Sequence, residues 1–141
     1  MTRQQRAFLC LAMSVLLTTA AAAQSGYQPK FKGDPAKSDE EAAALGYMRT
    51  VVRAEKIYNK RHHQYTTSLH DLIGQGSFTR RMAQTDRGLY QVSFHPKKEG
   101  YSLALTPKQF DATHRAFYAD EDGKIRVEEG KPAGPDSTML K

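Results

Sequence analysis

A single amphipathic segment, residues 38–60, most constrains what this chain can fold into. Ser38 precedes Glu41 by three residues, which is the capping-box spacing that marks a helix start, and the acids at 39–41 suit the positive end of a helix dipole. Apolar residues then recur with a helical period, at Tyr47, Val51, Ala54 and Tyr58. The sequence therefore predicts one long helix with one broad apolar face, which another part of the molecule must cover.

Four strand-like runs in the second half of the chain are the candidates to cover that face. Residues 89–95 and 101–106 alternate apolar and polar side chains and are separated by a short polar turn. Two further runs lie within 115–127, joined by the acidic turn 120–123, a pattern typical of a β-hairpin. The sequence therefore predicts an α+β fold, in which a long N-terminal helix packs on a small four-stranded antiparallel sheet.

The N-terminus has the pattern of a cleavable secretory signal. Arg3 and Arg6 precede an apolar run over residues 7–17, and a stretch of small residues ends at Ala23. We therefore expect a signal peptide over residues 1–23, Sec-type export, and a mature protein in the periplasm or outside the cell.

The remaining segments define the expected domain boundaries. Residues 24–37 and 129–141 contain several Gly and Pro residues and few aliphatic ones, so we expect a flexible leader and a flexible tail. Between them, residues 38–128 form the predicted α+β domain. Within it, residues 75–87 are mostly polar, and we expect a loop there.

Composition narrows the function classes. Cys10 is the single cysteine and lies within the predicted signal, so an exported product is expected to carry no disulfide. No later run approaches the roughly 18 consecutive apolar residues of a membrane-spanning helix. The formal net charge is +6, but the basic residues are scattered, and we expect no nucleic-acid partner.

Several stretches resemble the type IV pilin and type II secretion pseudopilin family in order and spacing. They are residues 54–58, 65–72, 89–94, 101–107 and 115–126. The resemblance implies a pilin-like head domain associated with a pilus or secretion system. However, Gly26 is followed by Tyr27-Gln28-Pro29, so the prepilin peptidase motif of that family is missing here. The resemblance therefore implies an accessory component more than a filament subunit.

No residue pattern indicates catalysis or a bound cofactor. The sequence has no Gly-x-Ser-x-Gly elbow and no phosphate-binding glycine loop. His62, His63 and His70 have no cysteine partners for a zinc site, and turn conformation alone explains the acidic residues of 120–123 without calcium. We therefore expect a protein that is not an enzyme and has no cofactor and no metal.

Three functional interpretations remain. The first is an exported protein-interaction component of an envelope or secretion assembly, which would dock through its sheet edge and the 75–87 loop. The alternative is a periplasmic binding module for an anionic ligand. The third is a small hydrolase whose catalytic residues the sequence does not identify. The candidate residues for a partner or anion surface are Arg49, Arg53, Arg80, Arg81 and Tyr65.

Overall fold

The computed structural model describes residues 26–141, so the predicted signal peptide at 1–23 lies outside the described residues. The described chain contains one α-helix, α1 (Asp39–His62), and two short 3₁₀ segments, Leu69–Leu72 and Arg80–Ala83. The strands follow in chain order: β1 (Asp86–Arg87), β2 (Tyr90–Lys97), β3 (Gly100–Pro107), β4 (Ala116–Asp120), β5 (Ile125–Glu128) and β6 (Thr138–Met139).

Helix α1 begins at the cap that the sequence indicates. The Ser38 hydroxyl accepts a hydrogen bond from the Glu41 amide at 3.1 Å. The Glu41 carboxylate does not reach back to Ser38, because it accepts the Lys37 amide at 2.8 Å instead. At the other end, His63 adopts a left-handed backbone conformation (φ 55°), and its N–H bonds to the Asn59 carbonyl. Both ends of the helix are therefore closed by local contacts.

The six strands form one antiparallel meander in which each strand pairs with the next along the chain. Val92 lies opposite Leu105, Leu105 opposite Phe117, and Phe117 opposite Val127, so these side chains share one face of the sheet. That face and the apolar face of α1 form one core. Its helix residues include Leu45, Met48 and Val51, all with no exposed surface.

The predicted four-stranded sheet is wrong, because the sheet has six strands. The first extra strand, β1, lies in the 75–87 segment that the sequence predicts as a loop. It pairs with β2 through Asp86 opposite Gln91 and Arg87 opposite Tyr90. The two-residue connection begins with Gly88 at φ 66°, a conformation that tight hairpins require. Turn geometry thus forms this strand without any alternation of apolar residues.

The second extra strand, β6, lies in the 129–141 segment that the sequence predicts as a tail. Thr138 pairs with Val127, and the Leu140 amide donates to the Ile125 carbonyl at 2.9 Å. The Leu140 side chain packs against the core. A single apolar contact together with free main-chain groups on β5 is therefore enough to bring this polar segment onto the sheet.

Residues 26–37 lie against the start of α1. The Tyr27 hydroxyl donates to Asp34, the Lys30 ammonium pairs with Asp39 at 2.6 Å, and Ala36 is buried. Within residues 26–141, no helix is long and apolar enough to cross a membrane.

Candidate functional site

A row of basic side chains covers the outward face of α1 beyond its second turn. Arg49, Arg53, Lys56 and Lys60 follow each other at intervals of four, three and four residues, so they project from one side of the helix, and all four are exposed. We call these four residues the basic stripe. The one acid in this part of α1, Glu55, is fully buried on the opposite side.

The stripe has no acidic counterpart. The ion pairs between residues 26 and 141 use other cations, namely Lys30, Lys37, Lys97, Lys108, Arg115, Arg126 and Lys131, together with His114. Arg49 lies over the Phe31 ring at 5.8 Å. Its charge is also a minor cause of the lowered pKa of Asp34, after the hydrogen bond from the Tyr27 hydroxyl. Arg53 and Lys56 have no such neighbour among the described contacts.

A cleft of about 270 Å³ lies beside the stripe, between α1 and the turn that joins β4 to β5. Arg49, Arg53 and Lys56 line its helical side. Val52 and Ile125 add apolar surface, and the turn contributes the glycine at 123. Among residues 26–141, no acidic side chain lines this cleft, so it combines positive charge with a small apolar area.

Gly123 brings the turn close to Lys56. Its backbone has φ 73°, and a Cβ at this position would lie 2.9 Å from the Lys56 Nζ. The preceding carboxylate, Asp122, is directed away: it accepts from the Arg126 guanidinium at 2.6 Å and from the Lys124 amide at 2.7 Å. The hydrogen bond from Arg126 lowers the pKa of Asp122 to about 2. This carboxylate next to Gly123 is therefore already engaged by Arg126 and Lys124.

The other sequence-predicted surface residues lie elsewhere. Arg80 and Arg81 are on the second 3₁₀ segment, and Arg81 lines a separate cleft of about 360 Å³ beside β1. That cleft contains both signs of charge, since Glu40, Asp86 and Arg87 also line it. Tyr65 is half-buried, with its ring 5.5 Å from that of Tyr101.

Of the five candidate residues, the structure thus brings together Arg49 and Arg53. Lys56 lines the same cleft. The five candidate residues do not include it, although its spacing from Arg53 places it on the same helix face. The structure also adds Gly123, whose contact with Lys56 is a tertiary one. Helical periodicity is sufficient to identify Lys56, but no local sequence pattern identifies Gly123.

The sheet edges offer little to a partner strand. β1 and β6 are two residues long. On β2, the Val92 amide points outward and donates to Thr85 at 2.8 Å. Pro96 has the same strand orientation as Val92, because the two are four residues apart, but it has no N–H to donate. Short edge strands and an edge proline are typical devices against strand addition.

Buried titratable groups connect α1 to the rest of the fold. The Glu41 carboxylate, with no exposed surface, accepts from the Arg115 side chain through Nη2 at 2.7 Å and Nε at 2.9 Å, and from the Arg115 amide at 2.9 Å. Arg115 immediately precedes β4. This pair therefore fixes the first turn of the helix to the central part of the sheet.

Two further acidic groups have evident structural partners. Glu55 accepts hydrogen bonds from the amide and the hydroxyl of Thr66, while burial raises the pKa of its carboxyl group. His114 Nδ1 lies 2.8 Å from Asp111, and this hydrogen bond lowers the pKa of Asp111 to about 2. In the described part of the chain, no three His, Cys, Asp or Glu residues are grouped to hold a metal ion.

No family model, no curated protein sequence and no solved structure matches this chain. The resemblance to the pilin and pseudopilin family therefore stays a prediction, and the basic stripe is interpreted from its own geometry and charge.

Proposed function

We propose that this protein is an exported, non-enzymatic interaction domain that docks on an acidic partner protein of an envelope or secretion assembly. The observation that supports this function is the basic stripe, in which four exposed cations share one helix face without an acid within ion-pair distance in residues 26–141. A surface of one charge sign attracts a partner of the opposite sign and accelerates their encounter.

The stripe contributes nothing evident to folding. Its side chains are exposed, and like charges at helical spacings of three and four residues destabilise a helix by about 0.2–0.5 kcal/mol per pair. By contrast, the buried pair of Glu41 and Arg115 has the partners expected of a structural contact. Within residues 26–141, the absence of an ion-pair partner for the stripe favours a role toward another molecule.

The outward face of α1 is also more accessible to a partner than the sheet edge. The sequence suggested docking through the sheet edge and the 75–87 segment, but that segment supplies β1, which covers part of the β2 edge, and Pro96 interrupts the donors beyond it. The outward face of α1 has no such obstruction. We therefore place the docking surface on the helix.

The same observation supports the second candidate function, a binding module for a small anionic ligand. The two functions differ in the size of what is bound, because a small anion covers a few side chains while a protein partner covers the whole helix face.

Site-specific photo-crosslinking in the producing cell tests the proposal. A photoreactive residue at Arg53 should give one discrete adduct with an envelope protein, and Arg49→Glu with Lys56→Glu should abolish it. The matched control position is Gln91, an exposed residue of β2 on the face opposite the core. No adduct from position 53, or equal adducts from both positions, would contradict the proposal.

If position 53 gives no adduct while inorganic phosphate protects the isolated protein against unfolding, the small-anion function is favoured. Stabilisation of that kind follows from mass action, because the anion binds the folded state.

A further inference from the structure

We infer that the cleft between the basic stripe and the β4–β5 turn binds an acidic peptide segment in which an apolar side chain adjoins the carboxylates. This inference rests on the proposed function, because it specifies the part of the partner that enters the surface.

The charged side of the cleft matches carboxylates in number and spacing. Arg53 and Lys56 are three residues apart on α1, which places their Cβ atoms about 5–6 Å apart. Two carboxylates of one extended segment can therefore be bound at the same time. Arg53 presents a planar fork that can bind one carboxylate through two parallel hydrogen bonds, and Lys56 acts as a point charge. Arg49 extends the positive side toward Phe31.

The apolar side of the cleft argues for more than charge recognition. Val52 is a core residue at the edge of the helix face, and Ile125 of β5 is only half-buried. Both line the cleft next to the cations. An inorganic anion or a sugar polyanion would leave the exposed part of Ile125 in water. A peptide with a leucine between its acids would cover that surface while its carboxylates reach the cations.

Gly123 lets the Lys56 side chain lie against the turn. A side chain at position 123 would begin 2.9 Å from the Lys56 Nζ and 3.0 Å from its Cε, so the Lys56 side chain would have to move. Asp122, the acid next to this glycine, is bound by Arg126. Among residues 26–141, the cleft thus has a glycine wall against Lys56 and no lining carboxylate that competes for this lysine.

Fluorescence anisotropy with two labelled peptides tests the inference on the full chain. The first peptide is Glu-Leu-Glu-Glu-Leu-Glu, and the second has serine in place of both leucines. We expect the leucine peptide to bind about tenfold more tightly than the serine peptide, a difference of about 1.4 kcal/mol. We also expect binding to weaken as salt is raised, because exposed charges are screened.

Charge-neutralising variants locate the binding. Arg53→Gln with Lys56→Gln should weaken binding of the leucine peptide about tenfold or more. The matched control is Lys98→Gln with Lys131→Gln, which removes the same charge from exposed residues outside the cleft. It should change affinity by less than about twofold, because long-range charge effects on a rim are small. Gly123→Ala should weaken binding through Lys56, with a urea denaturation curve to show that the variant is folded.

The outcomes separate this inference from the proposed function. The two peptides could bind the wild type equally and both lose binding in the Arg53→Gln with Lys56→Gln variant. That result would overturn the proposed recognition of an apolar side chain, while the helix face would remain a docking surface. Equal losses of peptide affinity in the cleft variant and in the control variant would overturn the location of the binding site in the cleft. No binding of either peptide overturns the inference, and an adduct at position 53 would then still support the proposed function.

Discussion

The first turn of α1 and its outward face beyond the second turn use charge in opposite ways. In the first turn, Asp39 pairs with Lys30 and Glu41 pairs with Arg115. On the outward face, the basic stripe has no acidic partner between residues 26 and 141. The pair of Glu41 and Arg115 fixes the helix to the sheet, whereas the stripe leaves positive charge available on the surface.

This difference separates charge that holds the fold from charge that is free to bind. A buried carboxylate must be paired, because removing either partner leaves an uncompensated charge in a medium of low dielectric. An exposed cation needs no partner, since water solvates it, and so its neutralisation costs little. Substitutions in the buried charged groups and in the basic stripe should therefore have very different effects, and the following variants measure that difference.

Arg115→Ala should have the largest effect. It leaves the fully buried Glu41 carboxylate without its two guanidinium contacts, so we expect the free energy of unfolding to fall by about 3–5 kcal/mol. Urea denaturation at neutral pH measures this loss. The control is Lys30→Ala, which removes a partner from an exposed pair and should cost about 0–1 kcal/mol. Similar losses in both variants would show that the first half of α1 is not held by the buried pair.

Glu55→Ala should come next. The variant leaves the Thr66 amide and hydroxyl without an acceptor in a buried environment, and we expect a loss of about 1–3 kcal/mol in the free energy of unfolding. Glu55→Gln should lose less, because an amide can accept from the Thr66 amide and donate to its hydroxyl. Equal losses for the two variants would indicate that packing and not hydrogen bonding determines the effect.

The pH dependence of the free energy of unfolding in the Glu55→Gln variant tests the raised pKa of Glu55. Burial raises the pKa of Glu55 in the folded state, so between the ordinary glutamate pKa and the raised value the folded state holds more protons than the unfolded state. Stability should therefore fall as pH rises through that window. The Glu55→Gln variant should show a flatter profile in urea denaturation. A profile parallel to that of the wild type would contradict this assignment.

Ser38→Ala tests the helix cap together with the contact that Ser38 makes to Thr113. The Ser38 hydroxyl accepts from the Glu41 amide and donates to the Thr113 carbonyl at 2.8 Å, so its removal should cost about 1 kcal/mol of unfolding free energy. Ser38→Asp, which keeps an acceptor, should recover the part due to the Glu41 amide. If both variants were as stable as the wild type, the ion pair with Arg115 would be sufficient to position the helix start.

The elements long enough to show a pattern could be predicted from sequence, and the two-residue strands could not. The cap at Ser38 and the helical period of Tyr47 and Val51 place α1, because both signals lie within a few residues. The strands β1 and β6 were missed because two residues cannot show an alternation. The predicted four-stranded sheet was wrong for this reason.

The candidate site shows the same limit. Arg49 and Arg53 could be selected because helical spacing alone places them together. Gly123 could not, since its approach to Lys56 depends on how the β4–β5 turn meets the helix. The pairing of Glu41 with Arg115 joins residues 74 positions apart, so no local pattern indicates it.

Arg53→Gln with Lys56→Gln should have the smallest effect on stability. Neither side chain has an ion-pair partner in the described structure, so we expect the free energy of unfolding to stay within about 0.5 kcal/mol of the wild type. At low salt the variant should be slightly more stable, because repulsion between like charges is relieved, and high salt should remove this difference. Urea denaturation at two ionic strengths measures both effects. A loss above about 1 kcal/mol would mean that the second half of α1 also holds the fold through its charges, and the contrast with Arg115 would disappear.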